Sequence, residues 1–267
     1  MENLIGFIGC GNMGGAIAEA VSKAETGNNV LLSDNCTEKA KELAERIGAK
    51  VSDNCEIAKT ANIIFLGVKP QILESVINEI KEILSKRTDA LVVSMAAGIT
   101  IKKIEGYFDC ELPIVRIMPN TPVSVGEGMV LYSPNQNVSE DQLQQFTSVM
   151  KFSGKLDKIS ENLIDAASAL SGCGPAFVYM FIEALADGAV SCGLPRDKAI
   201  SYAAQTLIGS ASLLLSSNKH PEELKDAVCS PGGSTIMGVK ALENGGMRGT
   251  VINAVTDAFQ KTKELGK

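Results

Sequence analysis

The chain has 267 residues, of which 45% are apolar, and this length is more typical of two domains than of one. Its net charge of −6 excludes the broad basic face that binding to a nucleic-acid backbone requires. A single histidine excludes catalytic triads built on histidine and metal sites with several histidine ligands within one chain. Any catalysis is therefore expected to depend on a cofactor.

Short apolar runs alternate with helical patterns in the first part of the chain. This alternation predicts βαβ units and a parallel sheet, and no strand is predicted after about residue 154. The predicted strands are residues 4–8, 29–33, 62–68, 90–95, 114–117 and 129–132, with helices that include 14–24, 38–47 and 71–84.

The second part of the chain has the pattern of helices alone. The predicted helices are residues 162–192, 195–217, 221–229, 236–244 and 247–265. In the last of them, apolar residues from Val251 to Phe259 recur at helical spacing and predict one buried face. The uncharged segment 199–218 is about as long as a bilayer span, but its serines, Thr206 and Gln205 predict burial between protein surfaces rather than in lipid.

These patterns predict an α/β fold with two domains. Residues 1–157 form a dinucleotide-binding domain of the Rossmann type in this interpretation, and residues 158–267 form an all-helical domain. The seven cysteines contain no C-x-x-C pair, and the acidic start of the chain has no signal-peptide pattern. Reduced thiols in the cytoplasm are therefore expected.

A glycine-rich motif stands between the first predicted strand and helix. Its sequence is Gly9-Cys10-Gly11-Asn12-Met13-Gly14, which fits the dinucleotide fingerprint in sequence and in context. Gly9 allows the tight turn, Gly11 the approach of a pyrophosphate, and Gly14 the close packing of helix on strand. A glycine-rich turn without a ligand is the alternative.

Asp34 follows the second predicted strand, about 20 residues after the motif, where a carboxylate binds the adenosine ribose of NAD. Neither Asp34 nor Asn35 has an arginine beside it for a 2′-phosphate, and Lys39 is the nearest cation. The preference between NADH and NADPH stays open. An exposed loop aspartate is the alternative interpretation.

Three further strand ends are expected to converge on the same cleft, because ligands of such sheets bind at the carboxyl ends of the strands. These ends are Val68-Lys69-Pro70, Ala96-Ala97-Gly98 and the segment Met118-Pro119-Asn120-Thr121-Pro122. Small residues at Ala96 and Ala97 leave room for a flat ring.

The helical part contains two unusual segments. Residues 171–176, Ser-Gly-Cys-Gly-Pro-Ala, interrupt an apolar helix, a feature that usually serves packing. Residues 230–235, Ser-Pro-Gly-Gly-Ser-Thr, combine hydroxyl groups with free backbone N–H groups at a helix start. A carboxylate site and an ordinary N-cap turn are both compatible with this pattern.

Together these motifs resemble the pyrroline-5-carboxylate reductase family, which has them in the same order over nearly the whole chain. The resemblance implies the reduction of 1-pyrroline-5-carboxylate to L-proline by NADPH or NADH, the last step of proline biosynthesis. It also implies a helical domain that forms homodimers and larger rings of dimers, with no metal and with neither nucleic acid nor membrane as a partner.

The resemblance assigns site residues as well. Gly9 to Gly14 would hold the pyrophosphate, Asn54 would lie near the adenosine, and Lys69 and Pro70 would line the cofactor cleft beside Val68. Ala96, Ala97, Asn120 and Thr121 would lie near the nicotinamide. Ser230, Gly233, Ser234 and Thr235 would surround the substrate, with the Thr235 hydroxyl facing its ring nitrogen as the catalytic group.

Two other functions fit parts of the sequence. A β-hydroxyacid dehydrogenase would share the layout but needs a lysine in a central helix of the second domain, and residues 162–192 contain none. A regulator that binds NAD(P)H without catalysis would not need the intact segment 230–235.

Overall fold

The computed structural model describes residues 4–25 and 27–265. Its contacts divide the chain into two units: one runs up to Cys173 and resumes at Ala258, and the other is Gly174–Asp257. This division falls later than the predicted boundary after residue 157, because the helix α7 (Glu161–Ser171) packs against β6 and β7 of the first unit. The functional boundary at residue 157 stays a prediction.

The first unit is built on one sheet of eight strands in the order β3-β2-β1-β4-β5-β6-β7-β8. The first six of these positions are parallel, β7 is antiparallel to β6, and β8 is parallel to β7. The strands are β1 Ile5–Ile8, β2 Val30–Ser33, β3 Lys50–Val51, β4 Ile63–Leu66, β5 Leu91–Ser94, β6 Ile114–Met118, β7 Gly128–Pro134 and β8 Gly154–Lys158. The predicted α/β class is confirmed, and the strand order reverses between β1 and β4, where such sheets bind ligands.

Two strands have no counterpart among the predicted ones. The two residues of β3 are exposed, and the sequence of β8 is Gly-Lys-Leu-Asp-Lys. Neither contains the apolar run that predicts a strand. The expectation that strands end at about residue 154 is therefore wrong, because β8 begins there.

Helices cover both faces of the sheet. They are α1 Asn12–Ser22, α2 Thr37–Ile47, α3 Asn54–Thr60, α4 Pro70–Leu84, α5 Ile101–Phe108, α6 Glu140–Val149 and α7, with a 3-10 helix at Thr121–Val125. Because strand side chains alternate, Phe7 and Phe65 pack in one core with α1 and α2, where their rings stack at 4.6 Å. Ile64 and Leu66 pack in the other core with α3, α4 and α5.

The second unit is helical. It contains α8 Gly174–Ser191, α9 Arg196–Ser216, α10 Pro221–Ala227, α11 Ser234–Asn244 and the start of α12 Met247–Leu265. The predicted helix 162–192 is thus two helices, α7 and α8, separated at Gly172 and Cys173. The predicted interruption of that helix lies at this break.

Much of the apolar surface of these helices is uncovered in the single chain. Ile208 is 60% exposed and Leu215 is 80% exposed on α9, and Val251 is 48% exposed on α12. The predicted burial of segment 199–218 between protein surfaces stays a prediction, because a partner surface would have to cover it. On α12 the predicted face is the less exposed one: Ala254, Val255, Ala258 and Phe259 are half-buried, whereas Val251 is exposed. By length and composition alone, Glu161–Ser191 and Arg196–Ser216 could each cross a membrane.

Candidate active site

The glycine-rich motif forms the turn from β1 into α1. Gly9 has φ +99°, which L side chains rarely adopt, and a Cβ at Gly14 would lie 2.1 Å from the Gly9 carbonyl oxygen. A Cβ at Gly11 would instead meet no protein atom within 4 Å. Gly11 leaves open space in front of the first-turn N–H groups of α1, which lack partners within the helix. This geometry fits the pyrophosphate of a dinucleotide.

Asp34 lies just beyond the end of β2 and accepts two backbone hydrogen bonds. Its Oδ2 accepts from the N–H of Cys10 at 2.7 Å, and its Oδ1 accepts from the N–H of Cys36 at 2.8 Å. The carboxylate therefore joins the glycine-rich turn to the connection between β2 and α2. Each oxygen keeps a second lone pair, which can accept a hydrogen bond from a ribose hydroxyl.

Cys10, inside the glycine-rich motif, is a buried thiol. Its Sγ lies 3.5 Å from the carbonyl oxygen of Ser33, and burial raises the pKa of the thiol to about 12. The nucleophilic form of cysteine is the thiolate, which this environment disfavours. This environment therefore disfavours a nucleophilic role for Cys10, and its predicted cofactor contact stays a prediction.

A cleft of about 940 Å³ opens at the carboxyl ends of β1, β2 and β4. The predicted site residues that line it are Gly9, Gly11, Asp34, Asn35, Asn54, Val68 and Lys69. The sequence did not assign a cofactor role to six further polar residues of its wall: Ser33, Lys39, Asp53, Cys55, Ser75 and Glu79. The cleft lies at the point where the strand order reverses, as expected for a dinucleotide.

Asn54, at the start of α3, is held in one orientation. Its Oδ1 accepts from the Ser33 hydroxyl at 2.7 Å, and its Nδ2 donates to the Glu79 carboxylate at 2.7 Å. Ser33 could have been found as a polar residue at the end of a buried strand. Glu79 gives no such signal, because it lies in the middle of α4 among other exposed polar residues.

The end of β4 leads directly into α4. Lys69 is the N-cap residue of that helix and Pro70 is its first residue, a position that proline favours. Val68 and Lys69 line the cleft, whereas Pro70 is not among its lining residues.

A second cavity of about 350 Å³ adjoins the turn and is lined by Cys10, Gly11, Asn12 and Ser124, among others. Ser124 belongs to the 3-10 helix, which packs against α1. The connection that follows β6 therefore lies beside the glycine-rich turn.

The remaining predicted cofactor residues do not line either cavity. They are Met13, Gly14, Pro70, Ala96, Ala97, Asn120 and Thr121. Ala96 is buried, whereas Ala97 and Thr121 are exposed. Asn120 is half-buried, and its carboxamide is engaged within the protein. Their contacts with a cofactor stay predictions.

The predicted substrate residues lie at the start of α11, in the second unit. Gly232 has φ +69°, and a Cβ at Gly233 would lie 2.4 Å from the Ser230 hydroxyl oxygen. The backbone at Gly232 therefore favours glycine, whereas at Gly233 the Ser230 hydroxyl would have to rotate away from a Cβ. The helix begins at Ser234, two residues earlier than predicted, so Ser234 and the exposed Thr235 belong to its first turn.

The single histidine has a structural role. His220 is the N-cap residue of α10: its Nδ1 accepts from the N–H of Glu222 at 3.3 Å, and its own N–H donates to Glu223 at 2.9 Å. Over residues 4–25 and 27–265, no three His, Cys, Asp or Glu side chains form a group that could hold a metal ion.

The sheet, the glycine-rich turn and the cleft define a Rossmann-type oxidoreductase that binds a nicotinamide dinucleotide. A family model described as pyrroline-5-carboxylate reductase dimerisation matches residues 161–265, and one described as NADP oxidoreductase, coenzyme F420-dependent matches residues 4–98. The chain belongs to the pyrroline-5-carboxylate reductase family, as full-length relatives show.

Two of these relatives are the pyrroline-5-carboxylate reductases of Escherichia coli, 40% identical over 100% of both chains, and of Methanosarcina acetivorans, 41% identical over 100% of both. Among solved structures, the Coxiella burnetii reductase is 35% identical with a TM-score of 0.91, again over 100% of both chains. The Plasmodium falciparum enzyme, solved with NADP bound, is 37% identical with a TM-score of 0.88 over 100% of both.

These comparisons confirm the predicted family and the predicted activity, an NAD(P)H-dependent reduction of a cyclic imine. They also confirm that the chain acts on a small molecule and forms oligomers. The individual roles of the site residues are not decided by them.

Proposed function

We propose that this chain reduces 1-pyrroline-5-carboxylate to L-proline with the cleft of the first unit as its cofactor site and segment 230–235 as its substrate site. The observation that carries the proposal is the glycine-rich turn, whose open space at Gly11 faces the start of α1. When bound, the reduced nicotinamide supplies the hydride that the imine carbon receives.

On the cofactor side, the first-turn N–H groups after Gly11 hold the pyrophosphate. Asp34 and Asn35 lie by the adenosine ribose, and Asn54 presents an amide that Ser33 and Glu79 hold in place. Lys69, which follows the end of β4, lines the cleft. Ala96, Ala97, Asn120 and Thr121 are proposed for the nicotinamide end.

On the substrate side, the N–H groups at the start of α11 bind the carboxylate of the substrate, because a helix N-terminus favours an anion. Ser230, Gly233 and Ser234 form the wall around it. Thr235 places its hydroxyl at the ring nitrogen and orients the imine. A protonated imine is already electrophilic, so orientation is the main contribution of the protein.

Initial rates of NADH and NADPH oxidation with 1-pyrroline-5-carboxylate, measured side by side, test the activity. We expect turnover with at least one cofactor, and the absence of turnover with both would contradict the proposal.

A Thr235→Ala variant tests the catalytic assignment. Loss of one transition-state hydrogen bond should lower kcat/KM by roughly 10–10³-fold, or about 1.4–4 kcal/mol. Circular dichroism establishes that the variant is folded. A folded Thr235→Ala protein with wild-type kcat/KM would remove Thr235 from the mechanism.

We also propose that the oligomer is a homodimer, with larger rings of dimers built from it, and that the enzyme works in the cytoplasm. Neither nucleic acid nor membrane is proposed as a partner. A net charge of −6 argues against binding to nucleic acid. A partner subunit on α8 and α9 would cover the helices that are apolar enough for a bilayer, which argues against a membrane.

A further inference from the structure

We propose that helix α7 is a positioning element of the reductase, which sets the two loops proposed for the nicotinamide through Asn120 and Glu161. The inference rests on the proposed function, because it assumes that the loops after β5 and β6 meet the nicotinamide. In this proposal the Asn120 side chain is a positioning residue of the nicotinamide end.

Asn120 connects the loop after β6 to the last turn of α7. Its Nδ2 donates to the carbonyl oxygen of Ser171 at 3.0 Å, and its Oδ1 accepts from the N–H of Met129 at 2.8 Å. Ser171 is the last residue of α7, and Met129 belongs to β7. The side chain thus fixes the start of the 3-10 helix against a strand and a helix end.

Glu161 connects the other loop to the first turn of α7. Its Oε1 accepts from the N–H of Ile101, the first residue of α5, at 2.7 Å. The loop from β5 to α5 contains Ala96 and Ala97. Opposite ends of the same helix therefore hold the two loops.

A buried guanidinium fixes α7 on the sheet between these two contacts. Arg116, on β6 and 1% exposed, donates to Glu161 at 3.2 Å and to Asp165 at 2.6 Å. Its Nε has no hydrogen-bond partner among the described residues. A buried arginine is costly unless it is paired, so the two carboxylates bind α7 to one position along β6.

The adenosine side of the cleft has a separate set of contacts. Asn54 is held by Ser33 and Glu79, which belong to β2 and α4. Loss of the contacts that Asn120 and Glu161 make should therefore affect the nicotinamide half of the site and leave the adenosine half intact. This separation makes the proposal testable.

The test compares Asn120→Ala with a matched control, Asn135→Ala. Asn135 lies at the opposite end of the β6–β7 pair and also bridges two backbone groups, accepting from the N–H of Ile114 at 3.1 Å and donating to the carbonyl oxygen of Leu112 at 2.8 Å. Asn135→Ala also removes a hydrogen bond to Glu105 at 2.9 Å and one from the N–H of Asn137 at 3.2 Å, so the control loses more hydrogen bonds than Asn120→Ala. Three quantities are measured in each: kcat, the inhibition constant of ADP-ribose, and the isotope effect with NADH deuterated at the transferred C4 position.

We expect Asn120→Ala to lower kcat by roughly 10–100-fold and to increase the isotope effect, because small misplacements of reacting groups are costly. The inhibition constant of ADP-ribose, which lacks the nicotinamide, should stay within about twofold of wild type. Asn135→Ala should leave all three quantities near wild type.

Wild-type kcat in Asn120→Ala would overturn the inference, as would equal losses in both variants or a weaker binding of ADP-ribose in Asn120→Ala. If Asn120→Ala does not fold, Glu161→Gln tests the inference instead. This variant keeps a side-chain acceptor for the N–H of Ile101 but removes the negative charge that pairs with Arg116. Its kcat should fall without a change in ADP-ribose binding. Absence of turnover in the wild type would instead contradict the proposed function itself.

Discussion

Two glycines of the cofactor turn meet different physical demands. A Cβ at Gly14 would lie 2.1 Å from backbone oxygen, whereas Gly11 has open space and an ordinary φ of −66°. Packing therefore requires glycine at position 14, whereas at position 11 we assign the requirement to the proposed approach of a pyrophosphate. The motif predicted the packing role of Gly14, which the structure shows, and a pyrophosphate role for Gly11, which stays a prediction.

A pair of alanine variants separates these demands. Gly11→Ala should keep the free energy of unfolding or raise it by about 0.4–1 kcal/mol, yet increase the KM for the cofactor by roughly tenfold, since its Cβ enters the space of the pyrophosphate. Gly14→Ala should lower the free energy of unfolding by about 1–3 kcal/mol, because the backbone must shift. In each variant, thermal unfolding measures the change in stability, and initial rates at varied cofactor concentration measure the KM for the cofactor. Unchanged cofactor KM in Gly11→Ala would refute the pyrophosphate assignment.

Asp34 allows a prediction about cofactor choice. Its carboxylate would repel a 2′-phosphate, and charges a few ångströms apart near a surface interact by about 1 kcal/mol or more. We expect Asp34→Ser combined with Asn35→Arg to raise the ratio of kcat/KM for NADPH to that for NADH at least ~10-fold.

The single Asn35→Arg variant is the control for added charge alone. Asp34 also accepts from Cys10 and Cys36, so the double variant should lose some affinity for both cofactors. If the ratio of kcat/KM for NADPH to that for NADH is the same in the double variant as in Asn35→Arg, Asp34 lies away from the ribose.

Among the strands, the sequence predicted those that are buried along most of their length. The strands β1, β2, β4, β5 and β6 are mostly apolar, with Arg116 the one charged residue among them, and such runs are the main signal of a parallel sheet. Strand β8 lacks this signal, and it forms because β7 offers it a pairing edge. The role of α7 was equally hidden, since the pairing of Arg116 with Glu161 joins residues far apart in the chain.

An ionic network joins helices on both sides of the proposed substrate segment 230–235. Arg248, at the start of α12, donates to Glu243 on α11 at 2.7 Å and pairs with Glu222 on α10 at 2.8 Å. Hydrogen bonds from Lys225 and then from Arg248 lower the pKa of Glu222 below its ordinary value. The network thus joins the start of α10 to the end of α11, the two helices that residues 228–233 connect.

Removing Arg248 should loosen the attachment between α10 and α11, the two helices that residues 228–233 connect. We expect Arg248→Met to raise the KM for 1-pyrroline-5-carboxylate roughly two- to fivefold, as is usual for exposed ion pairs, with the cofactor KM unchanged. Arg196→Met, which removes the exposed pair with Asp187, is the control. Equal effects of both variants on the substrate KM would contradict a specific role of the network.

The same network has a predictable dependence on pH. Because the folded-state pKa of Glu222 is lowered, its stabilising contribution is present above the unfolded-state pKa and is lost as the pH falls through the folded value. The substrate KM of the wild type should therefore rise below about pH 4.5, more than that of Arg248→Met. Parallel pH profiles of the two proteins would contradict this.

For the whole molecule, the sequence correctly indicated that the helical part is built for association. An apolar groove between α8 and α9 is lined by Val178, Phe181, Leu185, Leu207, Ile208 and Ala211, among others. Met180 and Leu215 are 71% and 80% exposed on the same two helices. Exposed apolar patches of this kind mark protein or membrane contacts, and the match to a dimerisation family favours a second copy of the chain.

A charge in this groove tests which surface covers it. Ile208→Glu should raise the dissociation constant of the dimer at least ~100-fold, because a carboxylate would be buried without a partner. Light scattering after size exclusion should show a monomer at concentrations where wild type is dimeric. Val51→Glu, on an exposed strand residue of the first unit, should remain dimeric. If wild type is monomeric and sediments with lipid vesicles, while Ile208→Glu does not, then a membrane and not a partner subunit covers these helices.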